Sequence, residues 1–308
     1  MKNTQLLNIN VTPFRVNVAG LLFTRAINTK QTFEMASHAK IDTLFMFNDI
    51  TLKLGEYTMF LQLKDCPWYN KNIEISQFLQ LKGDFSLLRY CKTFGEIKKQ
   101  WMQNKDLQNY GRFEDSIFIV YTNGEMSHER ETDVDNTVWQ KVICSGGKCF
   151  NFSEDKFPEV HEMFGNLETC KQMLANVRYD SKVTSSHQLL GFINKVRNYK
   201  ATALPDVFEA QKLLKELQDL GDLSHYKQFL SSFWFVTGQA NSQAHEEQIK
   251  REIGLACGTS ITNLMYTNFK QKIHDWCRHS NEVLTQESPF TKDMFHSAKG
   301  LGVSSDVI

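Results

Sequence analysis

The chain has 308 residues, of which 41% are hydrophobic and 12% aromatic, enough apolar material for one large or two ordinary cores, and this excludes a disordered tail or linker. Its 35 Lys and Arg balance 35 Asp and Glu, so there is no global attraction to nucleic acid or membrane. Within residues 1–110, however, fourteen Lys and Arg stand against nine Asp and Glu, and a polyanion is expected to prefer that part.

Seven cysteines, at 66, 91, 144, 149, 170, 257 and 277, are odd in number and scattered through a chain too large to need staples. They point to reduced thiols and an intracellular protein, cytoplasmic or nuclear. "CSGGKC" (144–149) has a gap that just reaches zinc-knuckle spacing, but no second Cys/His pair lies close by, and a hairpin turn is the expected reading. The N-terminus has no basic region followed by an uninterrupted apolar one, and "VAGLLF" is too short to cross a bilayer, so no membrane contact is expected.

Residues 13–30 place Val16, Leu21, Leu22 and Ile27 at helical spacings and predict a helix followed by a polar connector. "IDTLFMFND" (41–49) is apolar but short, which predicts a buried strand. "KLGEY" supplies a turn, and "TMFLQLKD" returns as the partner strand of a hairpin. Two helical stretches follow, "NIEISQFLQL" and "DFSLLRYCKTFGEIKKQWM", the second with Asp84 as N-cap. "SIFIVYTNG" (116–124) is a continuous apolar run, hence a central strand buried on both faces by helices. "TVWQKVICSGGKCFNF" predicts a further hairpin turning at Gly146 and Gly147. From about residue 154 the periodicity is helical, except for one strand candidate in "FLSSFWFVTG", and the tail from 301 is expected to fray.

The stretch "FLQLKD" carries the candidate chemistry. Side chains alternate along a strand, so Gln62 and Lys64 share one face while Leu61 and Leu63 take the other. Asp42, near the start of the predicted first strand, and Glu34, just before it, add two carboxylates at one end of the hairpin. Two carboxylates, an amide oxygen and an ammonium suit metal-assisted phosphodiester hydrolysis. Asp42 and the Gln62 carbonyl would hold Mg²⁺, Glu34 would add a ligand or hold a metal-bound water, and Lys64 would orient the attacking water and stabilise charge on the phosphate.

In the order E, D, QxK, "FEMASHAKIDTLFMF" followed by "YTMFLQLKD" resembles the PD-(D/E)xK nuclease superfamily, in the Mrr-like branch where Gln replaces the second acid. The resemblance implies a restriction-endonuclease-like α/β core, a mixed sheet flanked by helices, with the acid and the QxK motif on adjacent strands. It implies Asp42, Gln62 and Lys64 as catalytic residues, with Glu34 as the helix-side acid. "LQLKD", "GDFSLLRY", "IFIVYTNG", "FLSSFWFVTGQANSQAHEEQIKREIG" and "FKQKIHDWCRHSNEVLTQESPFTKDMF" also resemble the N-terminal region of large insect proteins that often continue into NTPase or ankyrin-repeat regions. Those N-terminal regions look like nuclease-type effectors of defence systems.

The expected organisation is a nuclease-like domain over 13–152, a helical accessory domain over 153–300 and a flexible tail over 301–308. The expected function is Mg²⁺-dependent hydrolysis of nucleic acid, Mn²⁺ being an alternative metal, with DNA ahead of RNA and low sequence specificity because no base-reading element is found. A homo-oligomer or regulatory partner would gate it. The alternative is an inactive nuclease-like module that binds protein or nucleic acid. Arg25 is a further candidate for phosphate contact, although a cation near a helix C-terminus is favoured by the dipole anyway. Lys98, Lys99 and Lys105 could track a backbone with Trp101 as a stacking platform, against the plainer reading of a solvated helix face. His161, His187, His225, His245 and His274 fall at no metal-binding spacing.

Overall fold

The computed structural model describes residues 11–37, 46–66, 72–80, 83–127, 137–144, 147–176, 215, 219, 221–239, 242–258, 262–279 and 282–293. Asp42 therefore lies outside the described residues, as do the predicted helices in 187–199, most of 206–221, and the tail.

Helix α1 (Pro13–Asn28) opens with Pro13 at its first turn, and the Thr12 hydroxyl accepts the Arg15 backbone N–H at 3.2 Å. Every residue from Phe14 to Ala26 is buried, so this is a helix enclosed on all sides rather than one with a wet face. Strands β1 (Phe33–Ser37), β2 (Ile50–Leu54) and β3 (Tyr57–Lys64) follow as an antiparallel meander. The β2–β3 turn is the predicted one, and it uses Gly55 at φ 58°, the left-handed region that only glycine enters without steric cost. Helix α3 (Leu87–Trp101), preceded by the short α2 (Ile75–Phe78) and followed by the short α4 (Lys105–Gln108), leads into β5 (Ser116–Thr122), which runs parallel to β3. All seven residues of β5 are buried, as a strand covered by helices on both faces requires.

The six-stranded sheet has the order β1-β2-β3-β5-β8-β7, with β7 at Lys148–Asn151 and β8 at Phe233–Thr237. The short strands β4 (Asn72–Ile73) and β6 (Glu125–Met126) pair separately. On one face Phe60, Phe118, Val120, Phe233 and Phe235 pack with α3, α6 (Pro158–Asn176) and α7 (Tyr226–Ser232). On the other, Leu52, Leu61, Ile119, Tyr121 and Val236 pack with α1, α5 (Val138–Ile143), α8 (Ser242–Cys257) and α9 (Asn263–His279). The chain is thus α/β, a mixed sheet between helical layers, with a mostly helical C-terminal part.

Four expectations change. The sheet crosses the boundary placed at residue 152, because β8 lies between β5 and β7 and joins both cores. "TVWQKVIC" is not a strand: Trp139, Val142 and Ile143 fall at i, i+3 and i+4, and α5 buries them on one side. The first hairpin strand is β2, not 41–49; within the described part of that stretch, Met46 to Asp49 turn, and Phe47 enters the core against Phe118 and Tyr90. Finally, α3 is capped by Ser86, whose hydroxyl meets the Arg89 N–H, and Asp84 stands in the preceding turn.

His245 on α8 is fully buried, its ring 6.0 Å from that of Phe14 on α1, and among the described residues neither ring nitrogen has a hydrogen-bond partner. Burial first, then the positive Arg25, lower its pKa from 6.5 to about 4. The folded state binds this proton less readily than the unfolded chain, so the stability at stake is complete above pH 6.5 and drains away as pH falls towards 4. The loss should reach about 3 kcal/mol. A His245→Leu variant should show a flatter dependence of urea midpoint on pH across that window; identical wild-type and variant profiles would place the proton elsewhere.

Candidate functional site

The residues at the open end of β3 meet Asp49, the last residue of the stretch 41–49. Asp49 directly precedes β2, and its backbone N–H donates at 3.1 Å to the carbonyl of Leu61, the residue that Ile50 already faces, so the regular ladder ends here in a bulge-like step. That step leaves the Asp49 carboxylate beside Gln62. The Gln62 amide donates to Asp49 Oδ2 at 2.5 Å, and the Leu63 backbone N–H donates to the same oxygen at 2.8 Å.

The other oxygen, Oδ1, lies 3.1 Å from Nη1 of Arg15, and Nη2 of Arg15 donates to the Asp49 carbonyl at 2.5 Å. Arg15 reaches this point from the first turn of α1, and Asp49 is only 17% exposed, so the pair is sheltered from solvent and screened far less than a surface pair. Lys64 stands two residues beyond Gln62 on the same face, at the edge of the α3 layer, and its ammonium pairs with Asp84 at 3.3 Å. Asp84 is 76% exposed, so this second pair is loose and contributes about 0–1 kcal/mol. Lys64 can leave it for a ligand at little cost.

Beyond Lys64, Asp65 accepts from the Asn123 amide at 2.9 Å, and Asn123 Oδ1 accepts the Cys66 backbone N–H at 2.7 Å. Asp65 is therefore occupied in tying the end of β3 to the end of β5.

With the Gln62 amide turned over, the oxygens here would suit a hard cation. The Gln62 amide nitrogen is 2.5 Å from Asp49 Oδ2 and 3.2 Å from the Leu63 carbonyl, so it occupies a point that two oxygens already face. A half-turn of the amide would present its own oxygen there. Three oxygens, one of them anionic, would then converge, the ligand chemistry of Mg²⁺ or Mn²⁺ with the remaining positions left to water. Among the described residues, no group of three or more His, Cys, Asp and Glu side chains is placed to hold a metal, so any such site must use amide and backbone oxygens.

No protein-family model and no curated protein matches this chain. The reading of the site accordingly stands on its geometry.

The other predicted site residues are not brought to this point. Glu34 lies within β1, exposed, opposite Lys53, which in turn faces Thr58. Thr58 is four residues from Gln62, about 13 Å along a strand, so Glu34 belongs to the turn end of the hairpin. Arg25 is buried, donating to the Val142 carbonyl at 3.0 Å with Glu252 3.8 Å away, and burial lowers its pKa. It fastens α1 to α5 and α8 and is not available to a phosphate.

Trp101 is 3% exposed, with its ring 5.8 Å from Phe60 and 5.5 Å from Phe113 and its indole N–H on the Gly111 carbonyl. It is a core residue, not a stacking platform. Lys98 donates to Gln228 on α7 at 2.5 Å, while Lys99 and Lys105 are exposed. Among the described residues no helix is long and apolar enough to cross a membrane.

Asp49 and Arg15 are what local reading missed. The signal available for Asp49 was the "ND" before "ITLKL": with the hairpin turn centred at Gly55 and Glu56, counting back puts Asp49 opposite Gln62. Arg15 had no local signal, because its partner is thirty-four positions away.

Proposed function

We propose that this chain is a divalent-metal-dependent nuclease of restriction-endonuclease-like fold, acting on nucleic acid with DNA ahead of RNA, and that Asp49 is its acid. The observation that carries the reading is the meeting of Asp49 with the Gln62 amide on adjacent strands, with Lys64 two residues on. The mixed sheet between helical layers and the placement of the acid and QxK on neighbouring strands support it. Asp49 Oδ2, the Gln62 side-chain oxygen and the Leu63 carbonyl would hold Mg²⁺ or Mn²⁺. A bound divalent cation supplies charge for the phosphate oxygens and a more acidic water.

The protein's own groups do the rest. Lys64, released from Asp84, donates from Nζ to a non-bridging phosphate oxygen and orients the attacking water. The Leu63 N–H and Arg15 hold the Asp49 carboxylate in one orientation. A role in defence rests on the sequence resemblance alone.

A second reading, an inactive module that binds protein or nucleic acid, is favoured by one observation: both charged groups of the site, Asp49 and Lys64, are already paired within the protein.

Incubation of the full chain with supercoiled plasmid or single-stranded RNA and Mg²⁺ or Mn²⁺ separates the two. The nuclease reading expects cleavage that falls by about 10²–10³ in Lys64→Ala, the scale of losing one charge-stabilising donor. It also expects Asp49→Asn to be inactive and Asp42→Asn to retain activity. Inert wild type on both substrates with both metals leaves the module reading. Activity lost in Asp42→Asn but kept in Asp49→Asn would move the acid to Asp42.

A further inference from the structure

We infer that Arg15 controls cation entry at the candidate site: by neutralising Asp49 in the free protein, it makes the affinity for a divalent cation depend on the negative charge of a bound phosphodiester. This rests on the nuclease reading and specifies how that site is regulated.

Arg15 is 7% exposed and sits in the first turn of α1, which Pro13 and the Thr12 cap start at a set position. α1 is clamped by α8, where Asn28 donates to Glu252 at 2.7 Å, and by α9, whose Cys277 lies against Arg15. The fork grips Asp49 at two points, the carboxylate Oδ1 and the backbone carbonyl.

Charge counting gives the consequence. Among the described residues, the charged side chains paired at the site are Arg15 and Lys64 against Asp49 and Asp84, two of each sign. Asp84 is mostly exposed and its charge is screened by water, whereas Arg15 is enclosed and its charge is not. A divalent cation at Asp49 Oδ2 would meet one carboxylate already shared with a sheltered cation, together with two uncharged oxygens. Hard cations draw their affinity from anionic ligands, and a second positive charge nearby opposes them. A phosphodiester brings the missing anionic oxygens and also engages Lys64. Metal and nucleic acid then raise one another's affinity by the same factor.

The test reads Mn²⁺ binding rather than turnover. Free Mn²⁺ is measured by electron paramagnetic resonance with the full chain, alone and with a phosphorothioate oligonucleotide that resists cleavage. Wild type should bind Mn²⁺ at least tenfold more tightly with the oligonucleotide than without. Arg15→Gln should bind Mn²⁺ alone at least tenfold more tightly than wild type, with a correspondingly smaller gain from the oligonucleotide. Arg15→Lys, which keeps a charge but loses the two-point grip, should fall between them, and it decides the matter if Arg15→Gln does not fold.

Asp49-dependent binding that is equal or weaker in the Arg15 variants overturns the inference while leaving the nuclease reading in place. So does wild-type binding that the oligonucleotide does not change. Mn²⁺ binding that Asp49→Asn leaves intact, or no Mn²⁺ binding under any condition, removes the Asp49 site itself and the inference with it.

Discussion

Asp49→Ala is expected to abolish cleavage and to lower folding stability by about 3 kcal/mol, the lower end of what breaking a buried ion pair costs. The two effects have separate origins. Cleavage goes because the one carboxylate that the described residues bring to the proposed cation position goes with it. Stability falls because three donors lose one carboxylate together: the Leu63 backbone N–H, the enclosed Arg15 guanidinium, which keeps its bond to the Asp49 backbone carbonyl, and the Gln62 amide, which keeps the Leu63 carbonyl. Each polar group left buried without a partner adds to the cost.

Asp49→Asn retains a carbonyl oxygen for the Leu63 N–H and should lose roughly half as much stability, while being as inactive as the alanine variant. Equilibrium unfolding in urea measures the first effect and plasmid cleavage the second. A stability change below about 1 kcal/mol for Asp49→Ala would mean that Arg15 and Asp49 are not joined in solution. The metal site would then lose its geometric basis.

Phe118→Ala is expected to cost about 4 kcal/mol, a large part of the 5–15 kcal/mol that holds an ordinary domain together. Phe118 lies on the central strand β5 and is completely buried. Its ring centroid is 5.1 Å from Phe47, 5.1 Å from Phe94, 5.5 Å from Phe60 and 5.8 Å from Phe113. These four neighbours come from the turn before β2, from α3, from β3 and from the turn leading into β5. None can move into the vacated space without pulling its own element, so a cavity remains. Phe118→Leu, which fills more of that space, should cost about 1.5 kcal/mol. Urea midpoints compare the two variants, and a loss under 1 kcal/mol for alanine would show that the layer collapses around the gap.

The two predictions also locate the site relative to what holds the fold. Phe47 and Asp49 lie two residues apart, one packed on Phe118 and the other facing Gln62. Damage to the aromatic layer would therefore reach the site through a single short turn, whereas Asp49→Asn leaves that layer intact. A comparison of the two variants by Mn²⁺ binding separates loss of a ligand from loss of its support.

Several features could be read from neighbouring residues alone, because they depend only on local spacing. The unbroken apolar run 116–122 made β5 a strand buried on both faces, since no alternation leaves either face polar. Thr12 and Pro13 set the start of α1, and "LGEY" set the hairpin turn, because caps and turns are fixed by the chemistry of adjacent residues. The period of two along β3 was enough to put Gln62 and Lys64 on one face.

What stands opposite them depended on register, and register is not local. Apolar residues recur along the whole of 41–54, at eight of its fourteen positions, so its composition allows a strand at several starting points. The pairing of Ile50 with Leu61, and the off-register bond from the Asp49 N–H to that same Leu61 carbonyl, bring Asp49 beside Gln62. A slip by one residue would have turned every side chain to the other face. The same reason governs the remaining differences. Trp101 on a basic helix and Arg25 near a helix end carried surface chemistry in their types and neighbours, but packing against Phe60 and against Val142 buried them. Strand β8, more than one hundred residues after β5, completes the sheet because an open edge there would leave backbone groups unpaired. Sequence by itself determined which faces are apolar and where elements begin; tertiary structure decided which residues from distant positions share a place, and the Arg15–Asp49–Gln62 contact exists only at that level.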